Sequence, residues 1–408
     1  MSFCAINDRE EDKFSIVWDL GRRCTYNCSY CPPHRQNNWS DIAKLDELIK
    51  TVHQVDRYHS LYNKYRKAPM QAGLSFTGGE PTVNPNFFKF MKYIHDNLPH
   101  MNVALTTNGF FSRRKCDLVI KNTGYSTVSY HTEGSAAQKK QVRDNLKHMK
   151  ESGYKFKVNV MFHEKEEYFN ECIELCEWFD LLGINYIPRV IGDDGAIKAG
   201  LKDKTIHTYS DEQMEWFKAY WNKKNPQKVN TVIDKIETGE KKNIGQSIGR
   251  PCCGGRQIEL LNDRGEWDKT KFVPNTNFKG WSCMINWYFL YIHQEIGQIW
   301  HHQTCQVNME GKVAPFTSLK NFDNYIDKLE EDLSQGSIPY IRCPKSYCGC
   351  GLCAPKAKDD ITALFVFEQK VKDVTPRFME QQKVGYEPGM IKPIDLKKAV
   401  EAFDEGTL

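Results

Sequence analysis

The sequence predicts an α/β fold built on a parallel sheet, followed by a smaller cysteine-rich domain. Three observations carry this. Strand-like and helix-like stretches alternate six times before Gly192. After Gly192 the alternation stops and short hairpin-like stretches with cysteines follow. A chain of 408 residues is long enough for one large domain and a smaller one.

The elements follow in order. FSIVWDL (14–20) is a strand, and SDIAKLDELIKTVHQVDRYHSLYNKY (40–65) is a long amphipathic helix opening at Ser40. Strand AGLSF (72–76) leads to helix NPNFFKFMKYIHDNL, and strand NVALTT (102–107) to helix SRRKCDLVIKN. STVSYHT (126–132) precedes AAQKKQVRDNLKHMKESG, KFKVNVMF (155–162) precedes EEYFNECIELCEWFDLLG, and NYIPRVI (185–191) is the sixth strand. Such steps demand crossover helices and a parallel sheet, either doubly wound or closed part-way into a barrel. In both cases the chemistry gathers at the carboxyl ends of the strands.

A polar stretch then leads to the Trp-rich helix DEQMEWFKAYWNKK and a second helical piece near 229–240. CGGRQIELLNDRGEW (253–267) and CMINWYFLYIHQEIGQIW (283–300) share a cysteine, a β-type run, a turn glycine and a tryptophan. They read as two hairpins of one small sheet, or as a chance similarity. Helix SLKNFDNYIDKLEEDL, the knot RCPKSYCGCGLC and a tail ending in the helical DLKKAVEAFDEG complete the chain. The expected divisions are a core domain at 1–195, a helical linker at 196–250, the cysteine-rich domain at 251–360 and a tail at 361–408.

Composition narrows the function. The apolar fraction is 40% and the charged fraction 26%, both ordinary for a globular chain. A net charge of +4 is too mild to argue for a polyanion partner, and basic runs such as KKNIGQSIGRPCCGGR are short, so nucleic acid is not an expected partner. No apolar run is long enough for a membrane, and MSFCAINDREEDKF lacks the apolar core of a signal peptide, which makes the cytoplasm the expected location. There, fifteen cysteines serve as metal ligands or free thiols more readily than as disulfides.

Cys24, Cys28 and Cys31 lie in CTYNCSYC directly after the first strand of the alternation. Three thiols suit a metal or cluster site with one position left open, and a zinc site is the alternative. FTGGEP (76–81) follows the second strand; Gly78 and Gly79 let backbone approach a ligand and Glu80 adds an acceptor, with a turn carrying a capping glutamate as the plainer reading.

CxxxCxxC with Tyr30 before its last cysteine, followed by GGEP, resembles the radical S-adenosylmethionine (radical SAM) superfamily. The resemblance implies a partial (β/α)6 barrel in which Cys24, Cys28 and Cys31 hold three irons of a four-iron–four-sulfur (4Fe-4S) cluster. The fourth iron then chelates S-adenosylmethionine. It further implies that Tyr30 and the Gly78, Gly79, Glu80, Pro81 segment meet the cofactor, with Asn108 of TTNG (106–109) close by. VSYHTEG (128–134) aligns with the family's ribose-facing segment, where His131 and Glu133 stand in place of the usual Ser and Asp. Arg143 matches a basic residue near the cofactor carboxylate and reads equally as a solvated helix arginine. Asn159 and Arg189 match positions that line the site or serve structure.

Cys283, Cys305, Cys343, Cys348, Cys350 and Cys353 resemble the short "twitch" version of the SPASM domain, a small α+β fold holding one auxiliary 4Fe-4S cluster. Cys283 and Cys305 with two thiols of the knot are its expected ligands; a structural zinc suits the same pattern. The implied activity is reductive cleavage of S-adenosylmethionine to a 5′-deoxyadenosyl radical. That radical abstracts hydrogen from a small polar metabolite, sugar or peptide, for dehydrogenation, epimerisation or crosslinking. The auxiliary cluster would accept an electron or anchor substrate. The implied partners are that substrate and a flavodoxin- or ferredoxin-type electron donor, with no membrane. The alternatives are a peptide- or nucleic-acid-modifying enzyme of the same family and a non-catalytic iron–sulfur electron-transfer protein. An intact cofactor cradle argues against the last.

Overall fold

The computed structural model describes residues 3–8, 13–31, 36, 38–191, 209–224, 258–262, 264–270, 276–303, 305, 307–309, 311–312, 314–346 and 354–372. In chain order the elements begin with strands β1 (Phe3–Asp8) and β2 (Lys13–Asp19), helix α1 (Leu45–Tyr65) and strand β3 (Gln71–Thr77). Next come α2 (Phe87–Asn97), β4 (Met101–Thr107), α3 (Arg113–Asn122), β5 (Tyr125–His131), α4 (Ala136–Glu151), β6 (Phe156–Phe162), α5 (Glu166–Leu182), β7 (Tyr186–Val190) and α6 (Asp211–Lys224). The remainder supplies β8 (Ile258–Asn262), β9 (Trp267–Thr270), β10 (Ser282–Cys283), β11 (Phe289–His293), β12 (Gln298–Trp300) and β13 (Thr317–Ser318). Helix α7 (Phe322–Ser334), β14 (Ile341–Arg342), β15 (Lys356–Ala357) and α8 (Asp360–Glu368) end the described chain. The fold is mixed α/β, and the six expected strand–helix steps run from β2 to β7.

Two compact units divide these elements: Met1–Asp19, Lys44–Leu74 and Ile248–Leu408 form the first, Leu20–Ala43 and Ser75–Ser247 the second. Their boundary falls inside β3. In the second unit the strands run β3-β4-β5-β6-β7, parallel wherever the register is defined from β4 onward, with Val128 beside Val158 and Val158 beside Tyr186. Along β5, Ser126, Val128 and Tyr130 are buried while Thr127, Ser129 and His131 on the other face are partly open. Under β3, the rings of Phe87 and Phe90 meet Phe76 edge-on at 5.4 and 5.6 Å. All three are fully buried, each burial being worth roughly 1.5–3 kcal/mol. Helix α4 starts with a capping box, the Ser135 hydroxyl accepting from Gln138 N and the Gln138 amide oxygen accepting from Ser135 N. Helix α5 stops at Gly183, whose φ of 61° suits a residue without Cβ.

In the first unit β11 pairs parallel with β2, from Phe289 beside Ser15 to His293 beside Asp19, and β12 and β13 follow antiparallel. A second sheet runs β14-β10-β15-β1-β8-β9. Helix α1 lies against α7, with Gln54 bonded to Asp323 at 2.7 Å and Arg57 to Asp327 at 2.5 Å. Its inner face carries Tyr58 and Tyr62, the latter 4.6 Å from the Trp287 ring.

Several expectations are corrected. Helix α1 opens at Leu45 after Lys44, not at Ser40. The Ser40 carbonyl accepts from Arg23 and the Ala43 carbonyl from Asn84 and Asn86, so neither is free to start the helical ladder. The two similar stretches do not form two hairpins of one small sheet, although Cys283 at the start of the second lies in β10 of the β8–β9 sheet. β8–β9 joins β1, whereas β11 is buried along nearly its whole length and extends the sheet of β2. The segment before the first predicted strand contributes β1, paired with β8 and β15. The helical piece at 229–240, most of the 196–250 linker, Cys348, Cys350, Cys353 and the C-terminal DLKKAVEAFDEG helix lie outside the described residues. Among the described residues no helix is long and apolar enough to cross a membrane.

Candidate functional site

The site is built in the second unit, where the chain leaves Leu20 and returns past Thr77. Leu20 N donates to Thr77 O at 3.0 Å, Gly79 N to Gly21 O at 2.8 Å and Glu80 N to Arg23 O at 2.7 Å. These three bonds zip the segment before Cys24 onto the glycines. A Cβ on Gly79 would sit 2.4 Å from Arg23 O and 2.7 Å from Arg22 O, so only glycine permits the approach. Gly78 takes a φ of 136°, and Pro81 opens a single 3-10 turn.

Glu80 is 3% exposed and its carboxylate is fully engaged by the chain itself. It accepts from Thr82 N at 3.1 Å, Thr82 Oγ1 at 2.7 Å, Thr107 Oγ1 at 2.8 Å and Asn108 N at 2.6 Å. Burial raises its pKa, and these donors oppose the rise. Glu80 therefore pins the end of β4 to the turn after β3. Asn108 continues inward: its Nδ2 donates to Thr25 Oγ1 at 2.8 Å and lies 3.8 Å from Cys24 Sγ.

The cysteine loop is held from the β5 side. Ser29 N donates to Glu133 Oε2 at 2.7 Å, and Tyr30 OH meets His131 Nδ1 at 2.5 Å. Gly134 leaves room for Tyr26, which a Cβ there would meet at 2.7 Å. Glu133 Oε1 stands 3.7 Å from Nε2 of the buried His163, whose Nδ1 lies 3.2 Å from Glu164. Burial pushes the His131 imidazole down to about 4, so it is neutral at pH 7.

Cys24, Cys28 and Cys31 are all partly exposed and electrostatically coupled. Burial, then neighbouring negative charge, pushes the Cys28 thiol up to about 12, and burial raises Cys24 as well. Thiolates at this spot therefore need a cation beside them. Donors are in place for one: Tyr26 N lies 3.4 Å from Cys24 Sγ, and the Tyr30 hydroxyl hydrogen-bonds the Cys28 sulfur. Among the described residues no three Cys, His, Asp or Glu side chains are grouped for a single metal ion. A cuboidal cluster spreads its thiolates over separate irons and does not require that grouping. The three cysteines fit such a cluster.

The remaining predicted positions divide by face. Asn159 lies beside Ser129 and Arg189 beside Met161, which is beside His131, so both share the His131 face of the sheet. Arg189 Nε donates to Asn159 Oδ1 at 3.4 Å. Arg143 is placed on the opposite, helical side. It donates to Tyr130 OH at 3.3 Å and stands 3.7 Å from Glu171, which Lys139 also pairs at 2.6 Å. The structure thus gathers Tyr30, Gly78, Gly79, Glu80, Asn108, His131 and Glu133 around the cysteines and leaves Arg143 away from them. Thr107, Ser29 and Tyr26 lie inside the TTNG and CTYNCSYC motifs without having been assigned a role, and His163 lies outside any motif, marked only as the first residue past a strand end.

In the first unit, Cys283 is buried in β10, and Cys343 follows β14, its backbone N–H bonded to Trp281 O at 2.9 Å. Cys283 opposes Ile341, so the strand pairing puts Cys283 and Cys343 close in register. Cys305 is partly exposed beyond β12. Cys348, Cys350 and Cys353, the rest of the expected auxiliary set, are among the undescribed residues.

Residues 18–176 match the sequence profile of the Radical SAM superfamily. A GTP 3',8-cyclase of Aliarcobacter butzleri is 26% identical over 190 residues, covering 43% of this chain and 55% of the relative. A GTP 3',8-cyclase of Sulfurimonas denitrificans is 23% identical over 265 residues, covering 60% and 77%. Over the first three such relatives the chain spans about half of their length. The solved structure of native anSMEcpe with bound AdoMet and Cp18Cys peptide superposes with a TM-score of 0.45 at 12% identity, covering 97% of this chain and 96% of that one.

Proposed function

We propose, from the premise that residues 18–176 are a radical SAM domain, that the chain is an enzyme abstracting hydrogen from a small polar substrate. A domain of this family uses S-adenosylmethionine and a 4Fe-4S cluster, which when bound supply a one-electron reductive cleavage to methionine and a 5′-deoxyadenosyl radical. The observation that carries the reading is the zipper between the cysteine segment and the glycine turn, in which Gly79 has no space for a side chain. It brings three thiols and a backbone-lined turn to the carboxyl ends of neighbouring strands, where such sheets do their chemistry.

In this reading Cys24, Cys28 and Cys31 ligate the cluster, and Glu133 and His131 hold the loop between them through Ser29 and Tyr30. Gly78 and Gly79 present backbone to the cofactor, and Asn159 and Arg189 line the substrate side. Glu80 acts by fixing the turn, because its oxygens are already taken by Thr82, Thr107 and Asn108. The test is direct: the anaerobically reconstituted protein with dithionite and S-adenosylmethionine releases 5′-deoxyadenosine, and Cys28→Ala abolishes it. A reconstituted wild type that releases none sinks the reading.

The substrate follows less directly. The relatives are named for cyclising GTP, which is none of dehydrogenation, epimerisation or crosslinking, and that name favours a nucleotide within the small polar class. Incubation with GTP deuterated on its ribose carbons, followed by mass spectrometry for deuterium transfer into 5′-deoxyadenosine, separates a nucleotide from a sugar or peptide. An auxiliary 4Fe-4S cluster on Cys283 and Cys305 with two thiols of the 343–353 knot completes the proposal. It predicts about eight irons per chain, falling to about four when Cys24, Cys28 and Cys31 are all alanine. Stoichiometric zinc in place of the second four irons would overturn it.

A further inference from the structure

We propose that the basic face of α3 and α4 is the docking surface for an acidic one-electron carrier protein of the flavodoxin or ferredoxin type. The proposal rests on the radical SAM reading, because reductive cleavage consumes one electron that the carrier must lose to the cluster. Such a transfer slows steeply with distance, so the carrier has to reach the cysteine loop.

The two helices carry a marked positive excess, while α5 beside them, with six carboxylates and no lysine or arginine, carries a negative one. Helix α3 carries Arg113, Arg114, Lys115 and Lys121 against Asp117. Helix α4 carries Lys139, Lys140, Arg143, Lys147 and Lys150 against Asp144 and Glu151. Nine cations against three carboxylates leave an excess of six, whereas the whole chain, 56 Lys and Arg against 52 Asp and Glu, has an excess of four. Arg114, Lys140 and Lys147 are exposed. Neither helix has an acidic residue in its first turn, while α5 beside them opens on Glu166 and Glu167. Cations there work against the helix dipole, so helix stability does not account for them.

The face also borders the cysteines. Gln138, in the first turn of α4, donates to Thr25 O at 3.3 Å, one residue from Cys24. Asn108, which lies 3.8 Å from Cys24 Sγ, stands five residues before α3. Trp39 is 92% exposed and follows Asn38, whose Oδ1 accepts from Cys24 N at 3.1 Å. An exposed tryptophan and a net-positive face that both adjoin the Cys24 segment are the composition of a protein contact with a steered, acidic partner. A groove between α4 and α5, lined by Lys139, Lys140, Arg143, Asp144, Glu171 and Trp178, flanks the surface, with Glu171 there paired to Lys139 and Arg143.

The experiment uses the reconstituted holoenzyme, flavodoxin as the carrier, and the triple variant Arg114→Glu, Lys140→Glu, Lys147→Glu. Two quantities are read: flavodoxin affinity by calorimetry at low salt and at about 0.15 M, and 5′-deoxyadenosine formed with reduced flavodoxin or with dithionite. The expected result is that reversal weakens flavodoxin binding roughly tenfold or more and flattens its salt dependence. The flavodoxin-driven rate falls alongside, and the dithionite-driven rate stays at wild type. Trp39→Ser weakens binding while keeping the salt dependence. Wild-type affinity in both variants overturns the proposal, as does an equal loss of the dithionite-driven rate in a variant that still binds. Unchanged flavodoxin binding with lost affinity for a short RNA overturns it in favour of a nucleic-acid face. If the wild type cleaves nothing with dithionite, the functional reading fails while the affinity measurements still decide the docking surface.

Discussion

Gly79 sets the tolerance of the site at the residue scale. A methyl group there would press on two backbone carbonyls, which cannot rotate away as a side chain would. Gly79→Ala should therefore cost about 1–3 kcal/mol or more and lower the iron retained after reconstitution; a wild-type urea midpoint with full iron would refute the steric argument. Glu133 acts through the Ser29 amide, so Glu133→Gln, which keeps an acceptor, should preserve the cluster's electron paramagnetic resonance signal. Glu133→Ala should broaden it and cost about 1 kcal/mol. Identical spectra for the two variants would show that the bond to Ser29 does not position the loop. The three cysteines were legible in the sequence because their spacing is local, and the glycine turn because it is a short motif. The contacts of Glu133, Tyr26 and His163 were not. Each depends on which strand end faces the loop, a fact of tertiary packing that residue order does not carry.

At the scale of elements, the helices that were easiest to read are those whose ends are chemically marked. Ser135 and Ser112 precede α4 and α3 in similar extended conformations, but only the Ser135 hydroxyl accepts from the helix. Ser135→Ala should cost about 1 kcal/mol and Ser112→Ala only a few tenths, as measured by urea unfolding. Equal costs would mean that the cap is not what starts α4. Strands β2 to β7 were legible because five- to seven-residue runs alternate with long amphipathic helices. The two-residue strands β10, β13, β14 and β15 have no periodicity to read, and β1 was passed over because its partners lie about 250 residues away or more. The hairpins at β8–β9 and β11–β12 look alike in sequence yet enter different sheets. Their neighbours β1 and β2, not their own residues, decide the outcome.

For the molecule as a whole, buried histidines predict how stability responds to acid. His301 is fully buried, stacked 4.2 Å from Phe316, and burial pushes its pKa down to about 3. His302 packs 4.2 Å from Phe289, and burial together with Lys356 brings it to about 4. In the unfolded chain both titrate near 6.5, so below that pH the unfolded state binds protons that the folded state refuses. Stability should fall as pH drops from about 6.5 towards 4, with a slope near 2.7 kcal/mol per pH unit around pH 5 for the two together. His131, held down to about 4 by burial, adds a third such group, so His301→Phe should remove about a third of the total slope; an unchanged slope would mean that other groups control it. Strand β1 has a further consequence, for synthesis. Its two edges wait for β8, starting at Ile258, and for β15, at Lys356 and Ala357. A nascent chain thus carries this strand unpaired until residue 258 has been made, and that sheet can close only after Ala357 has been made. A version released at residue 250 should emerge with FCAIND as a sticky edge and partition into the insoluble fraction, while moving the same six residues to a position just after β15 should shorten the wait and speed refolding.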